Sequence, residues 1–246
     1  MSTYDPGKQR LFFDDLINCR DLGGMRGSGG RVFKNNIILR SGSPSLASDK
    51  AYRELKQYGV KTVIDLRSEA EVGHYGNPFR EDEDTAYYNI PLFLGDPDAD
   101  EDPTMNYLKE HPMGDFYVLL LKNLGPRIVD VMDLIAERTD GIILIHCAHG
   151  KDRTGVIAAL LYLLIGASRE DIVLNYKVSY EYARHLLDPL IEAKEPALKH
   201  TLRSDAVNME IMLDYMDKEY GMSARSYLHG SGMPEERIDR LINRIV

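Results

Sequence analysis

The apolar run Ile142-Ile143-Leu144-Ile145, ending at His146, is followed after a short polar segment by a second apolar run, Val156 to Leu164; no other feature constrains this chain as much. The first reads as a central strand and the second as a buried helix. The segment between them, Cys147-Ala148-His149-Gly150-Lys151-Asp152-Arg153-Thr154-Gly155, must turn from strand to helix within a few residues. Such a turn gathers backbone N–H groups at a helix N-terminus, where they and the helix dipole favour negative charge. Gly150 permits close backbone approach, Arg153 offers a bidentate fork, and Thr154 can donate a hydroxyl hydrogen bond to the sulfur at the helix start. Cys147 lies at the bottom of this volume, so its thiol is expected to ionise below its free pKa and become a nucleophile. The same field suits a tetrahedral phosphoryl group. The competing reading of Cys147 is a buried, inert cysteine at a strand end.

His146-Cys147-x-x-Gly150-Lys151-Asp152-Arg153-Thr154-Gly155 resembles the signature loop of cysteine-based protein tyrosine phosphatases, and its Gly-Lys-Asp-Arg-Thr-Gly ending resembles the atypical bacterial and fungal branch. Asn18-Cys19-Arg20-Asp21-Leu22-Gly23-Gly24 is similar to the opening motif of that branch, and Arg40-Ser41 and Asp65-Leu66-Arg67-Ser68-x-x-Glu71 follow at matching places. The resemblance extends from residue 18 to residue 155 and says least about the C-terminal third. It implies attack by Cys147 on phosphorus, a cysteinyl-phosphate intermediate, and stabilisation of the equatorial oxygens by Arg153 and by the loop residues Ala148, His149, Gly150, Lys151 and Thr154. It also implies phosphotyrosine proteins as substrates, with phosphoinositides, or both, as the alternative. A phosphate-binding module without turnover is a reading of a different class.

The general acid is open at this point. Asp152 stands first, inside the loop, with a purely structural pairing to Lys151, Arg67 or a helix partner as its alternative. Asp65, at the end of a strand, is second. Asp96, Asp98 and Asp100 form a third option as a mobile acid loop, although the chain has no tryptophan and so no Trp-Pro-Asp. Lys151 is expected either to reach a second anionic group or to be a solvated charge. His149 either contacts substrate or is exposed, and His146 is expected to brace the loop through a backbone hydrogen bond. The resemblance places Arg20 and Asp21 near the active site, where an ion pair would buttress the loop; the alternative is a local turn in which Gly23 and Gly24 supply positive φ. Arg40, Ser41 and Arg67 are expected as supporting anchors or as ordinary strand ends. A Cys19–Cys147 disulfide is not expected.

A length of 246 residues fits one enzyme-sized domain, with an α/β core at about 14–167 and a helical extension or lid at about 168–246. A net charge of −9 argues against nucleic acid as a partner, and two cysteines give no disulfide framework and suit a reducing cytoplasm. Met1 to Arg10 is polar and unlike a signal peptide, and no run approaches the roughly 20 apolar residues of a transmembrane helix. The histidines and cysteines show no zinc-ligand spacing, so neither metal nor cofactor is expected.

Strands are predicted at Asn36–Arg40, Lys61–Leu66, Ala86–Ile90 and Gly141–His146, alternating with helices near Ser48–Tyr58, closed by Gly59, and Pro126–Arg138. Crossovers of this kind make the pairing mostly parallel, so the fold class is α/β, with a four- or five-stranded central sheet flanked by helices. Asp96–Asp102 reads as a solvated loop. The C-terminal third is predicted helical: Ser168 to about Ala183, opened by a capping-box variant, then about Ala206–Tyr220, Ser223–Leu228 and Pro234–Ile245.

Overall fold

The computed structural model describes residues 4–99 and 101–246. Five strands form one mixed sheet: β1 (Arg20–Asp21), β2 (Ile38–Ser41), β3 (Val60–Asp65), β4 (Ala86–Asn89) and β5 (Ile142–His146), in the spatial order β1-β2-β5-β3-β4. β5 pairs in parallel with β2 and β3, and β3 with β4, so the carboxyl ends of four strands share one edge. Only β1 runs antiparallel, on β2. This two-residue strand is absent from the sequence prediction because it is too short to show a period.

The pleat separates the core into two sides. Leu39, Val63 and Leu144 pack with Ala51 and Leu55 of α1 (Asp49–Tyr58). Ile38, Ile64, Ile143 and Ile145 face a larger cluster that includes α4 (Met113–Asn123), α5 (Gly125–Glu137), α6 (Arg153–Ile165) and most of the C-terminal helices. Every residue of α6 is buried, which explains why its sequence is apolar all round. α1 starts at the Ser48 cap and stops at Gly59 with φ 108°, a left-handed stop that Gly adopts without strain.

Three helices were not legible: α2 (Glu69–Tyr75), α3 (Pro103–Leu108) and α4. α2 is a short helix of about two turns opened by a capping box, in which Ser68 Oγ accepts from Glu71 N and the Glu71 carboxylate accepts from Ser68 N. α3 starts on Asp102, which is buried and accepts from Thr104 N and Met105 N, so the acidic run is not wholly a solvated loop. α7 (Arg169–Ala193) runs ten residues past the predicted end at Ala183, through Pro189, because Leu187 and Ile191 bury against Ile17. A 3-10 segment, Pro196–Leu202, then leads to α8 (Ala206–Tyr220), α9 (Ala224–Gly230) and α10 (Glu235–Ile245). No helix among the described residues is long and apolar enough to cross a membrane.

Candidate active site

The loop from Cys147 to Asp152 lies at the shared carboxyl edge, between β5 and α6. Its carbonyls are drawn outward. Ala148 O accepts from Ser43 N at 2.8 Å, His149 O from Asn18 Nδ2 at 3.0 Å, and Gly150 O from Asn18 Nδ2 at 2.9 Å and Arg40 Nη2 at 2.7 Å. A trans peptide is planar with C=O and N–H opposed, so the N–H groups of His149, Gly150 and Lys151 point away from Ser43, Asn18 and Arg40 and are left for a group held on the other side of the loop. Gly150 is required here: its φ is +65°, and a Cβ would lie 2.1 Å from Ser41 O. Cys147 is 2% exposed, at the sheet end of this cradle.

Arg153 opens α6 and is clamped by both oxygens of Glu71, with Nη2 to Oε1 at 2.9 Å. Its guanidinium carbon lies 5.9 Å from the Phe93 ring centroid. Burial works against the charge on Arg153, but the Glu71 carboxylate outweighs it and holds the group ionised. Glu71 feels the same contest and stays below the usual carboxylate range. Its double service, as cap and as clamp, was missed by the sequence reading, which saw Glu71 only within a motif.

Asp152 accepts from Lys151 Nζ at 2.7 Å and from the Tyr117 hydroxyl at 2.5 Å, and 17% of its side chain is exposed. Tyr117, on α4, also meets the Tyr176 hydroxyl of α7 at 2.6 Å. Lys151 departs from both expectations: it is 1% exposed, and besides Asp152 its ammonium donates to Thr201 O at 3.0 Å and Arg203 O at 2.8 Å. All three donors are used, so no free charge points at a second anion. Thr154 is buried, and its hydroxyl has no partner among the described residues, so the expected bond to the sulfur is not made.

Asp65 is fully buried and accepts from Arg67 Nη2 at 2.7 Å, Asn77 Nδ2 at 3.0 Å and the Tyr87 hydroxyl at 3.0 Å. Burial opposes its charge, but Arg67, joined by His146 wherever that imidazole is protonated, holds its carboxyl well below the usual range. Burial pushes His146 itself down, which leaves Arg67 as the cation of this group at neutral pH. Asp65 thus has no proton to give, and the second acid candidate falls. Its partner Arg67 also reaches Gly76 O at 2.7 Å, tying β3 to α2. His146 places Nδ1 3.1 Å from Cys147 O and Nε2 3.0 Å from Asn77 Nδ2. His149 is partly buried, and burial with the Lys151 charge lowers it to about 4, so it is neutral at pH 7.

Asp96 and Asp98 lie beside α2, against His74 Nε2 at 3.2 Å and the Tyr75 hydroxyl at 2.6 Å, while Asp100 lies outside the described residues. Arg20 and Asp21 make no ion pair with each other. Arg20 donates to Asn18, Asn175 O and Ser179 Oγ, and so holds Asn18 against the loop. Asp21 accepts from Gly23 N and Asn36 N, and burial raises its pKa. Gly24 has φ +84°, but Gly23 is needed for space instead, since its Cβ would lie 2.4 Å from Asn35. The motif's left-handed residue other than glycine is Asn18, φ 56°. Cys19 packs on the α1 side of the sheet and Cys147 on the other.

Together these features define an α/β protein with a Cys-x5-Arg loop at the carboxyl edge of a mostly parallel sheet. The chain belongs to the tyrosine phosphatase family, whose model matches residues 11–246. A relative from Cupriavidus necator is 31% identical over 69% of this chain; the match spans 63% of that relative, less than two thirds of its length. A tyrosine-protein phosphatase of Nostoc commune is 31% identical over 85% of this chain and 74% of its own. A Mycobacterium tuberculosis protein named triple specificity protein phosphatase PtpB is 24% identical, over 83% and 88%.

Proposed function

We propose that this protein hydrolyses phosphotyrosine through a cysteinyl-phosphate intermediate. The observation that carries the reading is the pairing of a buried Cys147, in a loop whose carbonyls are bound from outside by Asn18, Arg40 and Ser43, with an Arg153 fork fixed by Glu71 at the start of α6. The sulfur of Cys147 attacks phosphorus in line as the bond to the tyrosyl oxygen breaks. Arg153 and the amides of the Ala148–Lys151 stretch take the charge on the equatorial oxygens. Asp152 gives its proton to the leaving oxygen; water then attacks phosphorus with Asp152 as base, the P–S bond breaks, and inorganic phosphate leaves. In the state described here Asp152 is held by Lys151 and Tyr117, the two contacts through which its orientation is set.

Family membership and the Nostoc commune relative support this reading. The name of the Mycobacterium tuberculosis relative keeps a broader substrate range in view, while the engaged Lys151 removes the feature that favoured inositol phosphates. The packing of α4–α10 into one cluster with β3 and β5 supports a single catalytic unit. Phosphate release from a phosphotyrosine peptide and a phosphoinositide panel, with chelator present and with Cys147→Ser beside the wild type, tests the proposal. Cysteine-dependent release from the peptide is expected; release from lipids alone would replace the substrate class, and release from neither would remove the activity.

A further inference from the structure

The reaction outlined above leaves two deeply buried charges unused. Arg20 is 0% and Arg40 1% exposed, yet among the described residues neither has a carboxylate within hydrogen-bonding reach, whereas Arg67 holds Asp65 and Arg153 holds Glu71. Arg40 gives Nη1 to Asn175 Oδ1 at 2.8 Å and Nη2 to Gly150 O at 2.7 Å, with a longer contact to Lys151 O at 3.4 Å. Among the described residues its Nε has no partner, and neither has that of Arg20. An uncompensated guanidinium in a dry interior is costly, so a fold that keeps one has a counter-charge at hand in its working state.

Besides burial, the groups that act most strongly on the charge of Arg40 are Arg20, Tyr162, Cys147 and Tyr4. Burial raises Tyr4 to about 12 and Tyr162 well above its ordinary value, so both phenols are neutral at pH 7. Arg20 is a second cation. That leaves the sulfur of Cys147, and whatever anion it binds, as the negative partner. The coupling runs through the loop itself: Arg40 binds the carbonyls of Gly150 and Lys151, which polarises the same peptides and turns their N–H groups, on Lys151 and Asp152, away from Arg40.

We propose that Arg40, aimed by Asn175 of α7, is a positioning residue that stabilises the Cys147 thiolate and a bound phosphoryl group from behind the loop. This rests on the reading of Cys147 as the nucleophile, not on the identity of the substrate. The other charged and titratable groups around the loop are Arg153 and Asp152 at the start of α6, Glu71 on α2, His146 on β5, and His149 and Lys151 within the loop. All of them stay unchanged in the variants below.

The experiment is the pH dependence of Cys147 alkylation by iodoacetamide, read by peptide mass spectrometry on the full chain, together with the affinity for inorganic phosphate. Arg40→Met is expected to raise the alkylation midpoint by about one pH unit and to weaken phosphate about tenfold. Arg40→Lys, which keeps the charge, is expected to stay much closer to the wild type. Asn175→Asp places a carboxylate against Nη1 with little change of shape, and is expected to raise the midpoint as Arg40→Met does. Circular dichroism and melting establish which variants fold; if Arg40→Met does not, Asn175→Asp decides. An unmoved midpoint in a folded Arg40→Met or Asn175→Asp overturns the proposal, and so does an equal shift in Arg40→Lys, which would transfer the effect from the charge to the fork. Wild-type turnover of a phosphotyrosine peptide, measured in parallel, keeps the two readings apart. A shifted midpoint without turnover would sink the phosphatase reading alone, and turnover with an unmoved midpoint would sink this one alone.

Discussion

Glu71 serves two groups with one carboxylate, capping α2 through Ser68 N and clamping Arg153. Glu71→Gln keeps an acceptor for the cap but removes the charge, so Arg153 loses its ionic anchor while the helix persists. Turnover of a phosphotyrosine peptide should fall roughly 10- to 100-fold, less than deleting a charge-stabilising donor outright would cost. A loss in melting temperature without loss of rate would reduce Glu71 to a cap. Asp152 is tested by leaving group. Asp152→Asn should slow alkyl phosphates more than aryl phosphates with good leaving groups, since only the former need a full proton in the transition state. Equal losses would take Asp152 out of the acid role. His149 sets a pH window for stability. Its imidazole is lowered from 6.5 to about 4 in the folded protein, so protons bind the unfolded chain more readily across that interval. Its contribution is therefore complete above pH 6.5 and is lost as pH falls toward 4. Asp65, also depressed, loses its contribution only below the ordinary carboxylate range. Melting temperatures from pH 7 to 4.5 should fall in the wild type and fall less in His149→Gln; parallel curves would refute the assignment.

At the level of elements, Lys151 fastens the signature loop to the Pro196–Leu202 segment and its successor Arg203 by two backbone carbonyls. Lys151→Met keeps most of the buried stem and drops the ammonium. Amide exchange should then quicken over residues 196–203, and Asp152 should lose its partner; unchanged exchange there would mean the segment is held by packing of Leu198 alone. The strand, loop and apolar helix around Cys147 were legible because their apolar runs are contiguous and the loop joins them directly. Glu71 was legible only as the last residue of the Asp65-to-Glu71 motif match. Tyr117 and Asn175 left no local mark: they meet Asp152 and Arg40 across 35 and 135 positions of sequence, and such contacts arise only when helices pack. The ion pair expected of Arg20 and Asp21 failed for a related reason. Adjacent residues in a strand point to opposite faces, so each found its partner elsewhere.

On the scale of the whole molecule, a net charge of −9 surrounds a loop built to receive an anion. At low ionic strength this field should favour phosphotyrosine peptides flanked by lysine or arginine over those flanked by aspartate or glutamate. The preference should shrink as salt approaches about 0.15 M, where the screening length is about 8 Å. A preference that ignores salt would have to arise from direct contacts at the cradle instead. The parallel sheet was foreseeable at this scale, from strands alternating with helices. The place of the C-terminal third was not, because an amphipathic helix announces that it packs without saying against what.

The two thiols occupy opposite faces of the sheet, and this bears on how the protein meets oxidants. A sulfenic acid formed on Cys147 has no second thiol on its own side to condense with, and burial keeps Cys19 protonated, raised to about 12. Without a resolving partner in the chain, peroxide carries such a sulfur onward to the sulfinic and sulfonic acids, from which thiol reductants do not return it. Small thiols supplied by the surroundings are then the protection against permanent loss of the nucleophile.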